Sequence, residues 1–255
     1  MTSPVVRVRD GRFGYGGRVA VAADLEIAES EVVALLGPNG SGKTTLMKGM
    51  LGLVERMGGT VELFGAPLQE LADRSLIGYV PQRQTAAGPI PVTVRELVRS
   101  GRLAGRSIAR VRTRADRVAV DAAIAAVDLT DRATSPVSTL SGGQQRRALV
   151  ARAMAGGARV LLLDEPLAGV DQANQEAMAA TFAALIPDGV TIVVVLHELG
   201  PLEPLVTRAV CMDTGTVLFD GPIAEAPARL LHLGHDHDPH GGPTDERHGL
   251  GLYPR

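Results

Sequence analysis

Residues Gly37 to Thr44 spell "GPNGSGKT", directly after the apolar run "EVVALL" and directly before a helical stretch. In that context the pattern G-x-x-x-x-G-K-[ST] is a cradle for phosphate. Gly37, Gly40 and Gly42, with Pro38, Asn39 and Ser41 between them, let backbone N–H groups curl around phosphate oxygens. The start of the helix adds the positive end of its dipole. Lys43 brings a compact cation to the β and γ phosphates, Thr44 offers a hydroxyl to Mg²⁺, and Thr45 extends the same turn. Composition alone yields about 0.003 accidental matches in a chain of 255 residues. The chain has 24 arginines and only 2 lysines, so a lysine here is informative. An Arg fork does not replace a compact ammonium at this position.

A second apolar run, "RVLLLDEP" (159–166), ends in two carboxylates. Asp164 is placed to hold Mg²⁺ through water, and Glu165 to polarise the attacking water as general base. Positioning and electrostatics carry most of such a phosphoryl transfer. A third stretch, "LSGGQQRRALVARAMA" from Leu140, opens a helix and offers a second anion site in its free N–H groups. With this stretch the sequence resembles the ATP-binding cassette (ABC) ATPases. The resemblance implies ATP and Mg²⁺ as ligands. It also implies that Ser141, Gly142, Gly143 and Gln144 reach the ATP of a second copy, so that a homodimer sandwiches two ATP molecules.

The other landmarks of the resemblance follow in order from residue 15 to 197. Tyr15 matches the aromatic that stacks on adenine, a contact worth about 1–3 kcal/mol by analogy with base stacking. Gln82, in "YVPQ", matches the glutamine that senses Mg²⁺ and the transmembrane partner. Asp171, in "LAGVD", falls in the dimer-contact loop, and His197 matches the switch histidine at γ-phosphate. The dimer-contact loop reads "AGVD" where many members have "SALD", and Glu198 stands where Asp is common. Neither change removes a catalytic group. "QTAAGPIPVTVRELVRSGR" and "EPLAGVD" resemble the zinc and manganese uptake subgroup, and iron-chelate importers share part of that pattern. The implied function is the ATPase motor of a metal-ion importer. It would work with integral-membrane permease subunits and an extracytoplasmic metal-binding protein, at the cytoplasmic face of the membrane. A soluble ATPase of cofactor or cluster assembly is the rival from another class, and a metal-binding regulatory switch is a third.

Those residues need a rigid frame. The runs 31–37, 76–82, 159–166, 191–197 and 209–215 are continuously apolar, which fits a parallel sheet covered on both faces. Helical stretches around 42–54, 143–156 and 173–186 alternate with them, which predicts an α/β core. Residues 1–30 and 58–66 predict short half-polar strands, a small antiparallel sheet at one edge. Val120, Ile124 and Val127 share one helix face, and 85–140 reads as a helical insertion. The fold class expected is thus α/β, an ABC-type phosphate-loop NTPase domain over 1–231. It carries a small antiparallel β subdomain and an inserted helical subdomain.

The net charge of −2, without a long basic run, gives no electrostatic reason to expect nucleic acid. Cys211 is the only cysteine, so no intrachain disulfide forms, and its apolar setting predicts a small core residue. No apolar run is long enough to cross a bilayer, and the first residues do not resemble a signal peptide. From His232 to Arg255 glycine, proline, histidine and aspartate dominate, which reads as a tail. His232, His235, His237 and His240 there suit weak, labile Zn²⁺ or Mn²⁺ binding, or simply a solvated end.

Overall fold

The computed structural model describes residues 4–82, 92–103 and 113–231. Val6–Tyr15 (β1) and Arg18–Ile27 (β2) pair as a hairpin closed by Gly16 and Gly17, both at positive φ. Val32–Leu36 (β3) then leads into the helix Lys43–Met50 (α1). Glu55–Leu63 (β4) and Ala66–Pro67 (β5) complete a four-stranded antiparallel sheet in the order β2–β1–β4–β5. Ile77–Val80 (β6) precedes three helices, Val94–Ser100 (α2), Arg114–Ala126 (α3) and Gly142–Gly156 (α4). Val160–Asp164 (β7), Gln172–Leu185 (α5), Thr191–Val195 (β8), Arg208–Asp213 (β9) and Thr216–Pro222 (β10) follow.

The six-stranded sheet runs β10–β9–β3–β8–β7–β6, parallel throughout except for the β9–β10 hairpin. β3, β7 and β8 are buried at every residue, as continuous apolarity requires of a sheet covered on both faces. Their side chains alternate between two cores. Val33, Leu35, Leu162 and Val193 pack with Leu46, Met47 and Met50 of α1 and with the small sheet. Ala34, Leu161, Leu163 and Val194 pack with Leu149, Phe182 and other residues of the helices on the opposite face.

The small sheet is larger than the sequence predicts. β1 and β2 have 10 residues each and β4 has 9. The second half of β2 alternates exposed and buried residues, the signature of a sheet with one wet face, which makes long strands look weak by apolarity alone. β10 escapes the same apolar criterion: it alternates exposed with half-buried residues at an edge. The helix predicted for 42–54 stops at Met50, because the chain turns at Gly52 with φ +68°. In α3, Val120 and Ile124 are buried, and Val127 follows them into the same core. Three helices open on reciprocal capping boxes: Thr93 with Glu96, Thr113 with Asp116, and Ser141 with Gln144. Cys211 is fully buried in β9, as its apolar run predicts.

Candidate active site

β3, β6, β7 and β8 run parallel, so their carboxyl ends meet along one edge of the sheet, where open α/β folds bind ligands. Gly37 follows β3, Gln82 follows β6, Asp164 ends β7 and His197 follows β8. The loop Gly37–Gly42 turns with φ of +143°, +79° and +102° at its three glycines. A Cβ at Gly37 would come within 2.1 Å of the Met212 carbonyl oxygen, so only glycine fits there. Lys43 is 5% exposed, and its Nζ donates to the carbonyl oxygens of Gly37 (2.7 Å) and Pro38 (2.8 Å). Burial lowers its pKa, opposed by the negative charges of Glu165 and Asp164.

Thr44 Oγ1 donates to Asp164 Oδ1 at 2.8 Å. Burial raises the Asp164 carboxyl above the ordinary carboxylate range, against the lowering effect of that hydrogen bond. Next to it, Glu165 has a neighbour at each carboxylate oxygen. Gln82 Nε2 donates to Oε2, and His197 Nε2 lies 3.0 Å from Oε1. The Glu165 backbone has φ +49°, the left-handed region, which costs a non-glycine residue about 1–2 kcal/mol. From that backbone its carboxylate meets Gln82 and His197. Strain of this kind clusters at functional sites.

The structure therefore gathers Lys43, Thr44, Gln82, Asp164, Glu165 and His197. Thr45 lies on the first turn of α1, and Tyr15 ends β1 with 54% of its surface exposed, open to a planar ligand. Ser141, Gly142, Gly143 and Gln144 start α4, and Asp171 caps α5 by accepting from Asn174 N at 3.1 Å. Among the described residues no hydrogen bond or ion pair joins those five to the cradle. His232, His235, His237 and His240 lie outside the described residues, as do parts of the 85–140 insertion.

The cradle fits a triphosphate with Mg²⁺. Ser41 Oγ is buried without a hydrogen-bond partner, a donor awaiting an acceptor. The space above Gly40 is open, since a Cβ there would meet nothing within 4 Å. The Thr44 hydroxyl and Asp164 carboxylate form a hard oxygen pair of the kind Mg²⁺ takes alongside phosphate oxygens. Sequence reasoning missed Tyr79 in β6: its buried hydroxyl has no hydrogen-bond partner, and burial, with a smaller contribution from the Asp164 charge, pushes its pKa up to about 12. No spacing rule marks a tyrosine inside a strand as a site residue.

Residues 21–168, more than half of the chain, match the ABC transporter family. The chain belongs to that family. The hemin import ATP-binding protein HmuV of Nocardia farcinica is 39% identical over 219 residues, covering 84% of this chain and 74% of its own. The manganese transport system ATP-binding protein MntB of Bacillus subtilis is 37% identical, covering 70% and 71%. The zinc uptake system ATP-binding protein ZurA of Listeria monocytogenes is 33% identical over 87% of both chains. Among solved structures, cbiO1 of Clostridium perfringens, part of the ABC transporter complex cbiONQ, superposes with TM-score 0.76 at 24% identity, covering 86% and 89%. The dimeric ATP-binding cassette MJ0796 bound to ADP and Pi gives 0.73 at 25%, covering 85% and 98%. This ABC ATPase subunit binds and hydrolyses ATP, and subunits of its kind dimerise and work with membrane permease subunits. No helix among its described residues is long and apolar enough to cross a membrane.

Proposed function

We propose that the chain is the motor of an importer for divalent metal ions, zinc or manganese. The observation that carries this is the run of manganese and zinc uptake subunits among its relatives. An iron-chelate substrate is the second reading, favoured by the hemin and chelated-iron relatives. Permease chains supply the membrane spans, an extracytoplasmic protein delivers the ion, and the motor docks from the cytoplasmic face.

In this reading Tyr15 stacks on adenine, and the loop Gly37–Gly42 with Lys43 and Thr45 holds the triphosphate. Thr44, Asp164 and Gln82 are the residues that would hold Mg²⁺, which neutralises charge on the β and γ phosphates when bound. Glu165 takes a proton from water as the water oxygen bonds to γ-phosphorus and the bond to ADP breaks. His197, beside the Glu165 carboxylate, steadies the charge on the transferred group. Ser141, Gly142, Gly143, Gln144 and Asp171 complete the same site on a second copy. Their separation from the cradle within one chain supports that assignment, because a single chain leaves them without a nucleotide.

The test is elemental analysis of zinc, manganese and iron in source cells lacking this gene, grown in metal-poor medium. Complementation uses wild type or Glu165→Gln. A fall in zinc or manganese restored only by wild type is the expected result, and a fall in iron alone establishes the second reading. A rise in any of the three overturns import. Copurification of the tagged chain without any integral membrane protein overturns the permease partnership.

A further inference from the structure

We infer that Arg146 is a positioning residue that ties the signature end of α4 to the backbone of Glu165. The inference rests on the proposed roles of Glu165 as base and of Ser141–Gln144 as the element facing the partner's nucleotide. Arg146 lies one turn inside α4 and is half-buried. Its Nη1 donates to the Ala168 carbonyl oxygen at 2.6 Å. The Ala168 N–H in turn donates to the Glu165 carbonyl oxygen at 3.3 Å. One residue, Ala168, thus connects the guanidinium to the residue held at φ +49°.

A strained backbone persists only where its surroundings over-determine it. Three contacts do so here. Glu165 N donates to the Val195 carbonyl oxygen at 3.2 Å, the 165–168 turn closes on itself, and Arg146 anchors the far side of that turn. The charge geometry supports the link. Burial lowers the Arg146 pKa, and the negative charge of Glu165 opposes that shift, so the two groups feel each other. An arginine stays cationic at neutral pH regardless.

The rest of the seam is stiff. Gly143 packs so closely on Asn174 that a Cβ would approach its Cβ to 2.8 Å. Gln175 Nε2 donates to the Val170 carbonyl oxygen at 2.9 Å, fixing the end of the loop that Arg146 holds at its middle. A shift of the α4 start, such as engagement of Ser141 and Gly143 with a nucleotide on the partner, is therefore passed through Arg146 to Glu165. Nothing in the arrangement puts Arg146 on the reacting atoms. Its effect is on where Glu165 sits.

The experiment compares the full-length wild type, Arg146→Met and Arg146→Lys. Steady-state ATPase is normalised to chains that bind a fluorescent ATP analogue. Removing a charged hydrogen bond of this kind is expected to lower kcat about tenfold, with the analogue's Kd and the KM within about twofold. Arg146→Lys, which keeps a cation and a donor, is expected to recover at least half of wild-type kcat. A kcat for Arg146→Met within twofold of wild type overturns the inference, whatever happens to thermal stability. So does a loss of kcat matched by an equal weakening of analogue binding, the mark of a merely structural role. Should Arg146→Met fail to fold, Arg146→Gln gives the same comparison. Glu165→Gln is run alongside. If it retains turnover, the reading of the site fails; if it is inactive while Arg146→Met is normal, only the coupling fails.

Discussion

Glu165→Gln is the most discriminating single change, because it swaps one oxygen for an NH₂ in a residue contacted on both oxygens. In the structure Gln82 donates to Oε2 and His197 Nε2 stands 3.0 Å from Oε1. The glutamine amide keeps one acceptor, and the Gln82 amide can rotate to present its own oxygen to the new donor. The loss is one charge on a partly solvated acceptor, about 1 kcal/mol. That corresponds to about 2–4 °C in thermal midpoint for a domain of this size. Chemistry suffers far more. General-base catalysis contributes about 10²–10⁴-fold, or about 3–5 kcal/mol of barrier. ATP affinity should hold or tighten, since Lys43 and Thr44 bond to Gly37, Pro38 and Asp164 and not to Glu165. A negative charge is also removed beside a polyanion. The assays are phosphate release for kcat, fluorescent-nucleotide titration for Kd, and light scattering with ATP for a trapped dimer. A kcat within about threefold of wild type refutes the assignment of Glu165 as the base.

The remaining expectations concern the cradle, its charge balance and the buried thiol. Lys43→Ala removes the ammonium held by Gly37 and Pro38 and should weaken ATP binding at least about 30-fold. An affinity within threefold of wild type by the same titration refutes its role. Asp164 has a raised pKa, so its contribution to stability is present while it is protonated and is lost as pH rises through the folded value. Asp164→Asn should therefore match wild type near about pH 4 and melt higher at about pH 7, with nucleotide and Mg²⁺ withheld. A lower midpoint at the higher pH contradicts the burial argument. Burial also pushes the Cys211 thiol up to about 11. Maleimide at about pH 7.5 should scarcely label the native chain and should label it fully in denaturant. Native labelling within tenfold of the denatured rate rules out the buried placement.

The parallel core was legible because burial on both faces leaves nothing but apolar residues in β3, β7 and β8. The glycine loop was legible because only glycine tolerates its dihedrals, and chemistry fixes the lysine and threonine beside it. The antiparallel sheet is longer than apolarity indicates, since a strand with one wet face carries half the apolar signal. Contacts between distant segments left no mark in spacing. The Gln82–Glu165 hydrogen bond spans 83 positions, and the Arg146–Ala168 bond ends on a backbone carbonyl, which residue type does not mark. Neither the left-handed backbone of Glu165 nor the orphaned hydroxyl of Tyr79 follows from residue type.

The left-handed turn at Glu165 also says something about how such a protein ages under selection. Here the backbone would rest more easily with glycine or asparagine, residues at home in that region. A lineage relieved of the need to hydrolyse ATP would drift downhill at this position. A laboratory screen for heat resistance alone would find the same exit, and would return a robust nucleotide binder that no longer turns over.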